Sequence, residues 1–308
     1  ARNANDDTLV LLAAFSGDLP LLGVLLAAGA DVKTAFGGFQ LPGAAVTAMS
    51  TQKVSPEDLQ QALVAVDAFR DQVLAELEND PSLNDPQIRA SVQEVVEIFF
   101  DVGTSTAKTG VFDMAASLLL QDQSMTFIAG VKVAAGDKLD TAVRKLVELS
   151  KDQPDFPEVK VDADQHKGIH FHTLNVPIPA GEAQLVLGDG LDGVLGIGKD
   201  AVYMAFGKDA LSTLKQAIDT SGDNNAESSA AMKMVVSVGA ILKFMASVQP
   251  DETLEGLAEA VETLQGSDQV NILYETIKDG VRGTLTIDEG VIELLGKAVP
   301  DPAAGGGF

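Results

Sequence analysis

A series of short strand-like segments joined by tight turns constrains this chain more than any other feature. The stretches VFDMAASLLL at 111–120 and MTFIAGVKV at 125–133 are separated only by QDQS, and the pattern predicts a hairpin. Neighbouring strands joined by so few residues pair antiparallel, because a parallel pair needs a long crossover. The chain is therefore expected to build antiparallel sheets.

A unit of strand, short turn and amphipathic helix recurs in the same part of the sequence. Residues 125–149 and 201–219 are its two clearest copies, and residues 242–264 form a looser third. We therefore predict an α+β fold for residues 111–299, with helices packed on one face of antiparallel sheets. The last residues, 300–308, are expected to form a flexible tail.

Residues 1–110 are predicted to form a helix-rich N-terminal region. Ser55 and Pro56 have the residue types that begin a helix, and a second helix is expected from Pro86 to about residue 100. The stretch TLVLLAAFSGDLPLLGVLLAAGADVK at 8–33 resembles a single ankyrin repeat. One such repeat cannot bury its own apolar face, so residues 9–30 are expected to pack into a common core.

Composition limits the classes of partner. The 308 residues include 45 acidic and 21 basic side chains, for a net charge of −24, and 46% are hydrophobic. Such an acidic surface repels phosphate groups, so we expect no nucleic-acid partner. No uninterrupted apolar run approaches the roughly 18 residues of a membrane span. We expect the partner to be another protein or a second copy of the chain.

The chain has no cysteine. Disulfides, thiolate metal sites and cysteine nucleophiles are therefore excluded.

Four stretches resemble uncharacterised secreted proteins of planctomycete bacteria: MTFIAGVKVAAGDKLDTAVRKL, GIHFHTLNVPIP, AVYMAFGKDALSTLKQAID and GVRGTLTIDEGVIELLG, within about 110–297. The resemblance implies an exported protein of the periplasm, cell surface or extracellular space, and it assigns no catalytic residue. The opening ARNAN, without methionine, fits the start of a mature chain after signal removal.

All three histidines lie in HKGIHFH at 166–172, which reads as the turn and second strand of a hairpin. A two-residue loop at 167–168 would place apolar and acidic side chains on the same face. A three-residue loop at 166–168 separates them, so patterning favours it. In that register Asp164 lies opposite His170, and Asp162 lies opposite His172.

These four residues allow two interpretations. They form acid–base pairs on a solvated sheet face, which we favour, or they bind a divalent metal such as zinc, copper or nickel. We expect no other cofactor.

The favoured function is accordingly that of an exported, non-enzymatic binding or structural protein. The alternatives are a metal-binding protein that uses the 162–172 hairpin, and a hydrolase whose carboxylate site the sequence does not locate.

Overall fold

In the computed structural model, the structure describes residues 33–298 apart from gaps at 82, 152–156, 180, 182, 222–230, 250, 265 and 278–279. The ankyrin-like stretch, apart from Lys33, and the predicted tail at 300–308 lie outside the described residues. Within the described part, no helix is both long and apolar enough to cross a membrane.

The described strands form one antiparallel sheet of ten, in the order β10-β9-β8-β1-β2-β3-β7-β6-β5-β4. Their bounds are β1 Val46–Lys53, β2 Val111–Gln121, β3 Ser124–Lys132, β4 Val159–His166, β5 Ile169–Pro177, β6 Gly190–Ile197, β7 Ala201–Gly207, β8 Met232–Ser237, β9 Gln269–Ile277 and β10 Gly280–Ile287. The mixed fold and the antiparallel pairing are therefore confirmed.

The described helices lie in the connections between strands and after β10. Their bounds are α1 Pro56–Asn79, α2 Pro86–Lys108, α3 Gly136–Ser150, α4 Ala183–Leu187, α5 Ala210–Ser221, α6 Val238–Val248, α7 Glu252–Glu262 and α8 Glu289–Ala298, and a single 3-10 turn spans Gly37–Phe39. Ser55 caps α1 as expected, because its side chain accepts a hydrogen bond from the Asp58 N–H at 3.1 Å.

The two clearest repeated units are confirmed, since β3 leads into α3 and β7 leads into α5. The prediction of a looser third copy is wrong, because residues 242–264 contain parts of two helices, α6 and α7, where a strand followed by a helix was expected. The run AQLVL at 183–187, which resembles a strand, folds as the short helix α4. A five-residue apolar run has no periodicity that separates the two states.

Helices cover both faces of the sheet, so the prediction that they share one face is wrong. Consecutive residues of a strand point to opposite faces. On β6, Val194 belongs to the core formed with α5, whereas Ile197 packs with Leu139 of α3. We call these the α5 face and the α3 face.

The predicted helix-rich N-terminal third is not confirmed. Strand β1 lies within it and pairs with β2 on one side and β8 on the other. Strand β1 therefore lies in the middle of the sheet, and α1 and α2 form the connection between the neighbouring strands β1 and β2.

Glycine allows α3 to start close to the sheet. A Cβ at Gly136 would overlap the carbonyl oxygen of Gly198, and the Gly136 N–H donates to the carbonyl of Lys199 at 3.0 Å. This close approach places the next turns of α3 over strand β5, where the histidines lie.

Candidate functional site

The hairpin of β4 and β5 turns through Lys167 and Gly168, both with positive φ, at 49° and 76°. His166 pairs with Ile169, and Gln165 pairs with His170. The loop therefore has two residues, and the predicted three-residue loop is wrong. A tight turn with two left-handed residues matches the twist of the flanking strands, and it sets this register.

A bulge in β4 removes part of the patterning conflict that favoured the longer loop, because Asp162 leaves the apolar face of the hairpin while Asp164 stays on it opposite Phe171. Pairing runs from Lys160 opposite Thr173 directly to Asp164 opposite Phe171, so three residues of β4 face one residue of β5. Asp162 lies at the centre of this bulge with φ of 52°. Lys160 and Asp164 flank the bulge on the α5 face, whereas the left-handed backbone of Asp162 turns its side chain to the α3 face, so Asp162 and Asp164 point to different faces.

Three of the four predicted site residues lie on the α3 face of the hairpin: Asp162, His170 and His172. His170 Nδ1 lies 3.0 Å from Asp162 Oδ1, and His172 Nδ1 accepts a hydrogen bond from the Asp162 N–H at 3.2 Å. His172 is buried, with 2% of its surface exposed, and His170 is half-buried. The predicted pairing of Asp162 with His172 is therefore replaced by a contact through the backbone.

Helix α3 completes this group with two residues that the sequence prediction missed. Asp140 Oδ1 lies 3.0 Å from His172 Nε2. Arg144 donates two hydrogen bonds of 2.7 Å to the Asp162 carboxylate and a further one of 2.8 Å to Asp140. We call His170, His172, Asp162, Asp140 and Arg144 the His172 network.

The electrostatics of the network follow from the arginine. Its hydrogen bonds hold the pKa of Asp162 at about 2, well below the ordinary value of 3.8. The two carboxylates in turn raise the pKa of Arg144. The group therefore combines a fixed cation with two carboxylates.

Asp164 lies on the α5 face and does not join the network. Its carboxylate accepts a hydrogen bond from Lys215 Nζ of α5 at 2.5 Å, which lowers the pKa of Asp164. His166 is held to the same helix, because its Nε2 lies 2.8 Å from Asp219. The two faces of the hairpin are thus tied to two different helices.

The contacts within the His172 network argue against the metal interpretation. Both ring nitrogens of His172 already have partners, and the guanidinium of Arg144 occupies the space between the two carboxylates. A metal cation would have to displace it. Among the described residues, no group of three or more histidine, aspartate or glutamate side chains is arranged to hold a metal ion.

A separate open cleft of about 980 Å³ lies between β4, β5, β6 and the start of α5. Lys160, Asp192, Leu174 and Lys215 are among its lining residues, and none of the three histidines lines it. Asp192 accepts a hydrogen bond from Asn175 at 2.8 Å. Charged residues of both signs and apolar residues therefore line the cleft, and none of the residues of the His172 network is among them.

The α3 face of the sheet carries a row of apolar residues across five neighbouring strands. In register, the row runs Met234, Ala48, Ala116, Ala129, Met204. The three alanines are partly exposed and have shorter side chains than the two methionines at the ends of the row. We call this row the trough. Met204 is 44% exposed, and Met114, also on this face, is 36% exposed.

The chain matches no known protein family, no curated protein and no solved structure.

Proposed function

We propose that this chain is an exported, non-enzymatic binding or structural protein of the cell envelope or extracellular space, and that it holds another protein on the α3 face of its sheet. The trough bounded by Met234 and Met204 is the observation that carries this proposal. Large apolar surfaces left accessible on a folded protein favour protein contacts.

The composition of the trough supports a protein partner. Methionine side chains are flexible and polarisable, so they adapt to apolar surfaces of varied shape. The alanine floor leaves room for a helix or strand of the partner to approach the sheet closely.

The His172 network supports the non-enzymatic part of the proposal. Catalytic acids and bases must reach a substrate, but the buried His172 is engaged at both ring nitrogens by groups of the protein itself. The network stabilises the hairpin against α3. The exported location rests on the resemblance to secreted proteins.

Site-specific photo-cross-linking in the native cells tests this function. A photoreactive phenylalanine at Met204 should give a discrete adduct with another protein in the extracytoplasmic fraction. The same group at Met245 of α6 is a matched control, because the two methionines are 44% and 43% exposed. Adducts in equal amounts from both positions, or from neither, would contradict the proposal.

A further inference from the structure

The two edges of the sheet differ in how they are protected. The outer strand β4 has a bulge at Asp162 and carries the charged residues Lys160 and Asp164. Bulges and charges are the devices by which natural sheets prevent an edge from pairing with another chain. Strand β10, at the other edge, pairs with β9 in an unbroken register, and Arg282 is its only charged residue.

The backbone of β10 presents a regular set of hydrogen-bonding groups at this edge. The Asp288 N–H donates to the Gln269 carbonyl at 3.0 Å, which continues the register of Ile287 with Val270. In an antiparallel pair, alternate residues bond to the neighbour. The even-numbered residues of β10 therefore bond to β9, and the N–H and C=O groups of 281, 283, 285 and 287 point to the outer edge, where no described strand pairs with them.

Apolar side chains are concentrated at the same edge. Leu285 is 62% exposed and Ile287 is 44% exposed on β10, and on the following helix Ile292 and Leu295 are 61% and 59% exposed. An edge strand that is regular, nearly uncharged and apolar is a surface that another strand can cover.

We propose that two copies of the chain join through β10, paired antiparallel about a two-fold axis at Leu285. Leu285 lies on the same face as the trough, two strands beyond Met234. It is six strands from Met204, where the photoreactive group is placed, so the dimer and the proposed function can fail independently. The outward-pointing groups of one copy then bond to those of the other in about six hydrogen bonds. A strand of the same sequence is favoured as the occupant because β10 is complementary to itself in this register.

On the α3 face, the register brings apolar side chains together. Leu285 lies beside Leu285 of the second copy, and Ile287 lies opposite Gly283. The Tyr274 ring covers Gly283, since a Cβ there would stand 3.1 Å from it, and the isoleucine would pack against the edge of that ring. Self-pairing would thus bury apolar side chains of both copies on this face.

On the opposite face, the same register pairs complementary polar residues. Thr284 lies opposite Thr286, and Arg282 lies opposite Asp288. Because of the two-fold axis, the Arg282–Asp288 pair occurs twice in the interface. Such pairs of opposite charge are favourable cross-strand neighbours. Self-pairing in this register leaves no like charges directly opposite.

Sedimentation velocity of the purified full chain, over roughly a hundredfold range of concentration, tests the dimer. The wild-type protein should reach the dimer mass. Leu285→Lys should weaken dimerisation by roughly 100-fold, because it places two cations at the axis. Val64→Lys on α1 should leave it unchanged, and it is a matched control since Val64 is 63% exposed and Leu285 62%.

Charge reversal tests the register and does not depend on the folding of the Leu285 variant. Arg282→Glu and Asp288→Lys should each weaken the dimer, and the double variant should recover it. A wild-type monomer at the highest concentration, or a dimer that Leu285→Lys leaves intact, would overturn the proposal. A double variant no tighter than the single ones would overturn this register.

Discussion

Replacing His172 by phenylalanine should lower the free energy of unfolding by about 3 kcal/mol, because the ring is buried and both of its nitrogens have partners. Phenylalanine is of similar size but accepts no hydrogen bond at the position of Nδ1. The Asp162 N–H would then be left without that acceptor, and Asp140 would lose one of its donors. Chemical denaturation followed by circular dichroism measures the loss.

The matched control for this variant is His170→Phe on the same strand. The side chain of His170 is 43% exposed, and its contact with Asp162 is a surface pair, so its loss should cost less than about 1 kcal/mol. If the two variants lose equal stability, the network does not hold the hairpin in the way described here.

Replacing Arg144 by methionine should lower the free energy of unfolding by about 2 kcal/mol at neutral pH. The change keeps the apolar stem but leaves the two carboxylates, Asp140 and Asp162, without the cation between them. Part of the charge interaction is screened by solvent, because the Arg144 side chain is 37% exposed. Lys138→Met on the same helix removes an exposed pair with Asp101 and should cost under about 0.5 kcal/mol.

The effect of Arg144→Met should depend on pH in a defined direction. The pKa of Asp162 in the folded protein, about 2, lies below its ordinary value of 3.8, so the carboxylate stabilises the fold above the ordinary value. That contribution is lost as the pH falls from about 5 towards about 2. The gap between the wild type and the variant should narrow over this interval, and a gap that stays constant would contradict the ion-pair description.

The parts of the fold that follow from local signals could be predicted from the sequence. The hairpin of β2 and β3, the cap at Ser55 and the units β3–α3 and β7–α5 all depend on neighbouring residues. The use of both sheet faces could not be predicted in this way. It depends on which helix each strand residue meets, and a strand pattern does not identify that helix.

The candidate site illustrates a second limit. Alternation along 159–172 was assumed to continue without interruption, but the bulge at Asp162 adds residues to one strand. A binary pattern cannot reveal such an insertion, because it reads each residue relative to the one before. The prediction therefore placed Asp162 and Asp164 on one face, whereas the structure separates them.

The residues that complete the network lie on another element. Asp140 and Arg144 are spaced i, i+4 on α3, and that spacing alone signals a helix ion pair. Nothing in the sequence indicates that Arg144 also reaches Asp162, 18 residues later, or that Asp140 reaches His172, 32 residues later. Only the close start of α3 at Gly136 brings the pair over His172.

The proposal of a non-enzymatic protein depends on the His172 network being structural, and histidine NMR tests this most directly. Because Nδ1 accepts from the Asp162 N–H, the proton should reside on Nε2, and ¹⁵N correlation spectra at about pH 7.5 distinguish the two tautomers. The network predicts the Nε2–H form of His172, with resonances that zinc does not move. Saturable shifts of both His170 and His172 on zinc addition, lost in Asp162→Asn, would show instead that the hairpin is a metal site.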